Sequence, residues 1–182
     1  MATKKVQPET SIEEDKVTTA PKKAKNEDKP IVPKDVDLNT FITVKSGYNG
    51  RMIYVSSRTN ERYEWAHLGD EQEIELRELR NAKSSAKAFF INNWFMFDEE
   101  FEWVIPYLGM TKYYFNAIKP DEFDDLFEKP ADEIREIVSK LTKGQQKTVG
   151  YIAREKVVNG DIDSRKTIAV LEEVLNIQLI EH

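Results

Sequence analysis

The chain has 182 residues, a third of them charged and 40% hydrophobic. That is enough apolar material for one ordinary domain or two small ones. A net charge of −6 weighs against a general nucleic-acid binder, whose surface is usually basic.

Cysteine is absent, which excludes disulfides, thiolate nucleophiles, zinc knuckles and iron–sulfur clusters and suits a reducing compartment. The first thirty residues hold no apolar core of a secretory signal. No apolar run approaches the roughly 18–20 residues that span a bilayer, so no membrane partner is expected.

Residues 1–36 differ in kind from the rest. They contain no aromatic residue, carry Pro8, Pro21, Pro30 and Pro33, and intersperse lysine with acids. Such a segment buries too little apolar area to offset its ordering entropy, so a disordered tail is predicted. It serves either as a solubilising arm or as a tether that orders inside a larger assembly.

From Leu38 the pattern changes to period two. Ile42 and Val44 alternate with Thr43 and Lys45, and "RMIYVSS" resumes after the turn at Gly47 and Gly50. Tyr63 and Trp65 alternate in the third run, and Ile74 and Leu76 share a face in the fourth. Four short strands with tight turns predict an antiparallel meander. Residues 76–88 are rich in helix formers, and "INNWFMFD" has the aromatic content of a fifth strand. Five strands with a helical excursion before the last are the layout of a small SH3-like or OB-like β-barrel. The predicted fold class is therefore α+β, with a barrel over 37–98 and a helical domain over 99–182.

Asp98 is placed to cap the next helix, whose apolar face would be Trp103, Val104, Tyr107 and Leu108. Pro106 limits this helix and Gly109 ends it. "DEFDDLF" reads as one short helix. "PADEIREIVSKL" spaces Ile134, Ile137, Val138 and Leu141 as one helix face. Thr142 with Gln145 predicts a capping box opening a helix that Asn159-Gly160 stops. Asp163 or Ser164 caps the last helix, with Ile168, Leu171, Val174 and Leu175 along one side, completing a bundle.

The chemical inventory is sparse. Histidine occurs twice, at 67 and 182, which argues against a His-dependent triad or metal site. The glycines are scattered, so no phosphate-cradling loop is visible. Asp161, Asp163 and Glu172 match three positions of a calcium loop, but Arg165 and Lys166 stand where a ligand and a glycine are needed. No catalytic, cofactor-binding or metal-ligating residue is predicted, and no enzyme.

Two binding surfaces are candidates. The first is the aromatic junction between barrel and bundle: Trp94, Phe95, Phe97, Trp103, Tyr113 and Tyr114, which must be apolar on both sides. The second is the basic stretch 140–166, where Lys143, Lys147, Arg154, Lys156 and Arg165 would contact nucleic acid, with Tyr48, Tyr54 or Trp65 stacking on single strands.

Three runs, "GRMIYVSSRTNERYEW", "GDEQEIELRELRNAKSS" and "FFINNWFMF", together with the closing "IAVLEEVLNIQLIE", resemble small proteins encoded in tailed bacteriophages and prophages of Gram-positive bacteria. The resemblance implies a virion or virion-assembly protein in the particle or the host cytoplasm. Its partners would be other virion or assembly proteins in an oligomeric structure. A phage-encoded nucleic-acid-binding regulator is the alternative.

Overall fold

The computed structural model describes residues 31–180. The tail predicted over 1–36 lies outside them except for residues 31–36, which form no helix or strand. The chain is a mixed α+β protein in which small antiparallel sheets come first and helices follow.

Strand β1 (Phe41–Ser46) sends Ile42 and Val44 inward, as its alternation requires. It pairs antiparallel with β4 (Glu71–Glu75), Ile42 opposite Ile74, and through Lys45 and Ser46 with the two-residue β5 (Phe95–Met96). Strands β2 (Met52–Val55) and β3 (Arg62–Trp65) form a separate hairpin, with Met52 opposite Trp65 and Tyr54 opposite Tyr63.

The strands of the predicted SH3-like or OB-like barrel therefore do not close into a barrel. The strands divide into a three-stranded sheet ordered β4-β1-β5 and a two-stranded one. The cause lies at the turn after β1. There the Gly47 N–H donates to the Trp94 carbonyl at 2.8 Å, so β1 is continued by β5 and β2 departs into its own sheet. Side chains bridge the two sheets in place of a ladder. Trp65 Nε1 donates to the Val44 carbonyl at 2.9 Å, and Gln72 Nε2 donates to that of Glu64 at 2.9 Å.

Helix α1 (Leu76–Ser85) buries Leu76, Leu79 and Ala82 against the sheets, and it also buries a carboxylate. Glu78 is 1% exposed and accepts from Tyr54 Oη, from Asn81 Nδ2 at 2.9 Å and from Arg58 Nε at 3.2 Å. Burial pushes the Glu78 carboxyl up, but the hydrogen bonds from Tyr54, Asn81, Ser56 and Arg58 outweigh it and leave the group below its ordinary value. A depressed carboxyl contributes stability that is complete above the unfolded value, about 4.3, and is lost as pH falls through the folded one. The urea midpoint should therefore fall on acidification below about pH 4. In Glu78→Gln that dependence should flatten, and stability at neutral pH should drop by about 1–2 kcal/mol.

After α2 (Ala88–Ile91) and β5 the helix predicted from Asp98 to Gly109 is divided into a 3-10 turn (Glu99–Phe101) and α3 (Val104–Tyr107); it ends at Gly109 as predicted, and α4 (Thr111–Tyr114) follows. Gly109, at φ 69°, sits in the left-handed region between them. Asp98 makes no side-chain cap and instead pairs with Lys45 at 2.9 Å. Then come α5 (Phe123–Phe127), α6 (Ala131–Lys140), α7 (Lys143–Asn159) and α8 (Arg165–Leu175), the last three as the bundle reading predicts. The predicted stops and starts hold at Gly160, with φ 82°, and at Ser164, whose side chain accepts from the Thr167 N–H.

Two cores result. Ile42, Tyr54, Trp65, Leu79, Phe90, Phe95 and Val104 belong to the first, and Met110 closes it. Phe123, Leu126, Ile134, Val138, Val149, Ala153 and Leu171 belong to the second.

Leu68, in the turn between β3 and β4, packs onto the second core, and polar contacts make up the rest of the joint. Thr148 Oγ1 donates to the Gly47 carbonyl at 3.1 Å, and Thr142 Oγ1 donates to Asn93 Oδ1 at 2.8 Å. Within the second half, beside this seam, the Gln145 amide bonds both backbone groups of Ile118, at 3.1 and 2.6 Å. Only half of the predicted capping box thus forms: Thr142 accepts from the Gln145 N–H, while the Gln145 side chain turns to Ile118. Asn93, Gln145 and Thr148 are all fully buried, and each is satisfied.

Candidate functional site

Helix α7 has two unlike faces. Val149, Ala153, Gln145 and Thr148 face inward. On the other side, spacings of three and four residues place Lys143, Lys147, Tyr151, Arg154 and Val158 in one outward row. From Lys143 to Arg154 the row runs about 16 Å, at roughly 1.5 Å per residue.

A second segment turns the row into a groove. Asn176 ends α8 in the left-handed conformation, φ 54°, so the chain doubles back and lays Ile177 and Gln178 alongside α7. Arg154 Nη2 donates to the Gln178 carbonyl at 3.1 Å, and Glu172 Oε1 accepts from the Leu179 N–H at 2.8 Å to hold the return. Gly150 lies against this return: a β-carbon there would stand 3.2 Å from Ile177 Cδ1, a tight contact with a side-chain end that can shift.

The depression holds about 330 Å³, floored by Gly150, Leu175 and Ile177 and flanked by the cations; among the described residues no carboxylate lines it. Tyr151 is half exposed and Val158 is 77% exposed on the same row. Among the described residues, Lys143, Lys147 and Arg154 form no ion pair. An aliphatic floor ringed by cations can seat an apolar side chain while its neighbours offer negative charge.

Of the five basic residues singled out in the sequence, the fold gathers Lys143, Lys147 and Arg154. Lys156 lies on the opposite side of α7, paired with Asp124 at 2.8 Å, and that contact raises its pKa. Arg165 opens α8, away from the groove lining. Sequence reasoning missed Tyr151, Leu175 and Ile177. The signal was Gly150, a residue costing about 1 kcal/mol inside a helix and therefore a marker of close packing.

The aromatic junction fares differently. Phe95 and Phe97 are 0% and 3% exposed and offer no docking surface. Trp94 stands edge-on to Tyr48 and Phe89, with centroids 5.8 and 5.5 Å away, and Trp103 stands edge-on to Tyr107. Tyr114 turns its hydroxyl inward to the Phe95 carbonyl at 2.7 Å, and Tyr113 lies under Lys112. All four pack on the first core as its rim. The strand aromatics expected to stack on single strands are likewise spent, since Tyr54 and Trp65 are buried and Tyr48 rests against Trp94.

Among the described residues, no group of three or more His, Cys, Asp or Glu is placed to hold a metal ion, and no helix is long and apolar enough to cross a membrane. Compared with known proteins, the chain matches no family model, no curated protein and no solved structure, so the α7 groove is read from its own residues.

Proposed function

We propose that the chain is a non-enzymatic interaction protein of a tailed-phage particle or of its assembly, and that the α7 groove is its recognition surface. The phage setting comes from the resemblance of residues 50–97 and 168–181. The groove supports recognition of an acidic protein segment bearing an aliphatic anchor. One observation carries this reading: Lys143, Lys147 and Arg154 surround an aliphatic floor with no carboxylate among the described lining residues. The aromatic junction, first in line from the sequence, gives way because its central rings are consumed by the core.

Mass spectrometry of purified particles, with capture from infected lysate, should find the chain bound to other virion or assembly proteins. Reversing Lys143, Lys147 and Arg154 to glutamate should abolish that association while leaving the circular dichroism unchanged. Absence from both particles and complexes would remove the reading.

Tyr151 beside three cations also favours a second reading, nucleic-acid binding, since an exposed ring can stack on a base. That reading requires salt-sensitive binding. Three neutralised duplex phosphates weaken affinity about 40-fold between roughly 50 and 200 mM salt. Fluorescence anisotropy with labelled duplex and single-stranded oligonucleotides separates the two.

A further inference from the structure

The segment beyond the described residues contains a charge pattern that its near-neutral total conceals. In residues 8–18, "PETSIEEDKVT", Glu9, Glu13, Glu14 and Asp15 surround Ile12, and the one cation of the stretch, Lys16, comes after them. Cations follow at Lys16, Lys22, Lys23 and Lys25. The only other acids before Ile31, Glu27 and Asp28, stand between Lys25 and Lys29. One acidic block with a central aliphatic residue therefore lies within the first thirty residues. The groove on α7 has the complementary composition: Lys143, Lys147 and Arg154 without ion pairs among the described residues, and Leu175 with Ile177 as floor.

Building on the reading of that groove as a docking surface for acidic segments, we propose that its resident occupant in the free protein is residues 8–18 of the same chain. Ile12 seats on the aliphatic floor, and the carboxylates of Glu9, Glu13, Glu14 and Asp15 face the row of cations. An external partner then binds by displacing this segment.

Reach permits the contact. Sixteen residue-to-residue steps lead from Asp15 to Ile31, the first described residue. They span up to about 55 Å when extended and about 22 Å on average as a flexible chain. A domain of this size has a radius of gyration of about 15 Å. Tethering also favours the chain's own segment over another copy's, because a short linker holds it at roughly millimolar effective concentration.

The absence of cysteine makes the test direct. In the full-length chain, Ser11→Cys is combined with Gln178→Cys, at the groove rim where the Gln178 carbonyl receives Arg154. A control combines Ser11→Cys with Glu73→Cys. Glu73 is exposed on β4, three residues before Leu76, whose N–H bonds Thr40 near the root of the arm. Under mild oxidation the first pair should form an intrachain disulfide about tenfold faster than the control. Adding K143E/K147E should slow it about tenfold, and adding E13K/E14K as well should restore it. A rate no faster than the control, or one indifferent to charge reversal, overturns the proposal. Disulfides between copies in place of intrachain ones also overturn it, in favour of exchange between molecules. Partner capture that still depends on Lys143 and Lys147 without this cross-link would leave the docking reading standing and the resident segment refuted.

Discussion

Gly144→Ala should lower unfolding stability by about 2–3 kcal/mol, a sign opposite to the one its position in a helix suggests. Gly144 is the second residue of α7, where alanine ordinarily gains about 1 kcal/mol over glycine. Here a β-carbon would stand 2.2 Å from the Asn92 carbonyl oxygen, 2.4 Å from its Cβ and 2.7 Å from its Cα. Two of these three atoms are backbone and cannot rotate aside, so the helix or the α2–β5 connection must move. Overpacking of this kind costs about 1–3 kcal/mol or more and outweighs the propensity gain. The movement would also pull Thr142 from Asn93 and Thr148 from Gly47, adding lost hydrogen bonds to the strain. Urea unfolding followed by circular dichroism measures the change. Gly150→Ala is the control, because its new neighbours are side-chain methyls that can yield, Ile177 Cδ1 at 3.2 Å and Leu175 Cδ1 at 3.8 Å, and it should stay within about 1 kcal/mol of the wild type. Equal stability of Gly144→Ala and the wild type would refute the close contact between α7 and Asn92.

Phe95→Ala should cost about 3–5 kcal/mol, near the top of what a single core truncation removes. The ring lies within 4.8–5.6 Å of the centroids of Phe89, Phe90, Tyr54 and Trp65, so its loss leaves a void bordered by rigid planes that collapse poorly. At a few degrees per kcal/mol for a domain of this length, Tm should fall by about 10 °C. Phe115→Ala provides the contrast. That side chain is 73% exposed, and its removal should change stability by no more than about 0.5 kcal/mol. A Phe95→Ala protein with unchanged Tm but lost partner binding would return the aromatic junction to the role the sequence suggested for it.

The period-two runs identified the strands and their inward residues because alternation is a local signal: Ile42 with Val44, and Tyr63 with Trp65, are all buried. Pairing was not legible in the same way. The meander assumes that neighbours in sequence are neighbours in the sheet, whereas β1 chooses β4 and β5 through a single turn at Gly47. The helices α6, α7 and α8 were legible from apolar spacing and end signals. What Gln145 does was not, since its role is set by Ile118, 27 residues away. The same holds for Thr142 with Asn93 and Thr148 with Gly47, separated by 49 and 101 residues. At the candidate site the cations were visible as composition. Their sorting into a groove and its far side depended on helix phase and on the return of the chain at Asn176. The aromatic cluster misled because hydrophobic content alone does not distinguish a core from a surface that binds.

The hydrogen-bonded joint between the two cores bears on how the molecule can move. Water can take the place of each partner as Thr142 and Thr148 withdraw, whereas nothing in solvent replaces the apolar contacts within either half. The lowest-energy large opening therefore runs along this plane, with both halves intact on either side of it. Amide protons at the plane should then be released to solvent well before those inside the sheets or the bundle, and the chain would exchange as two cooperative units rather than one.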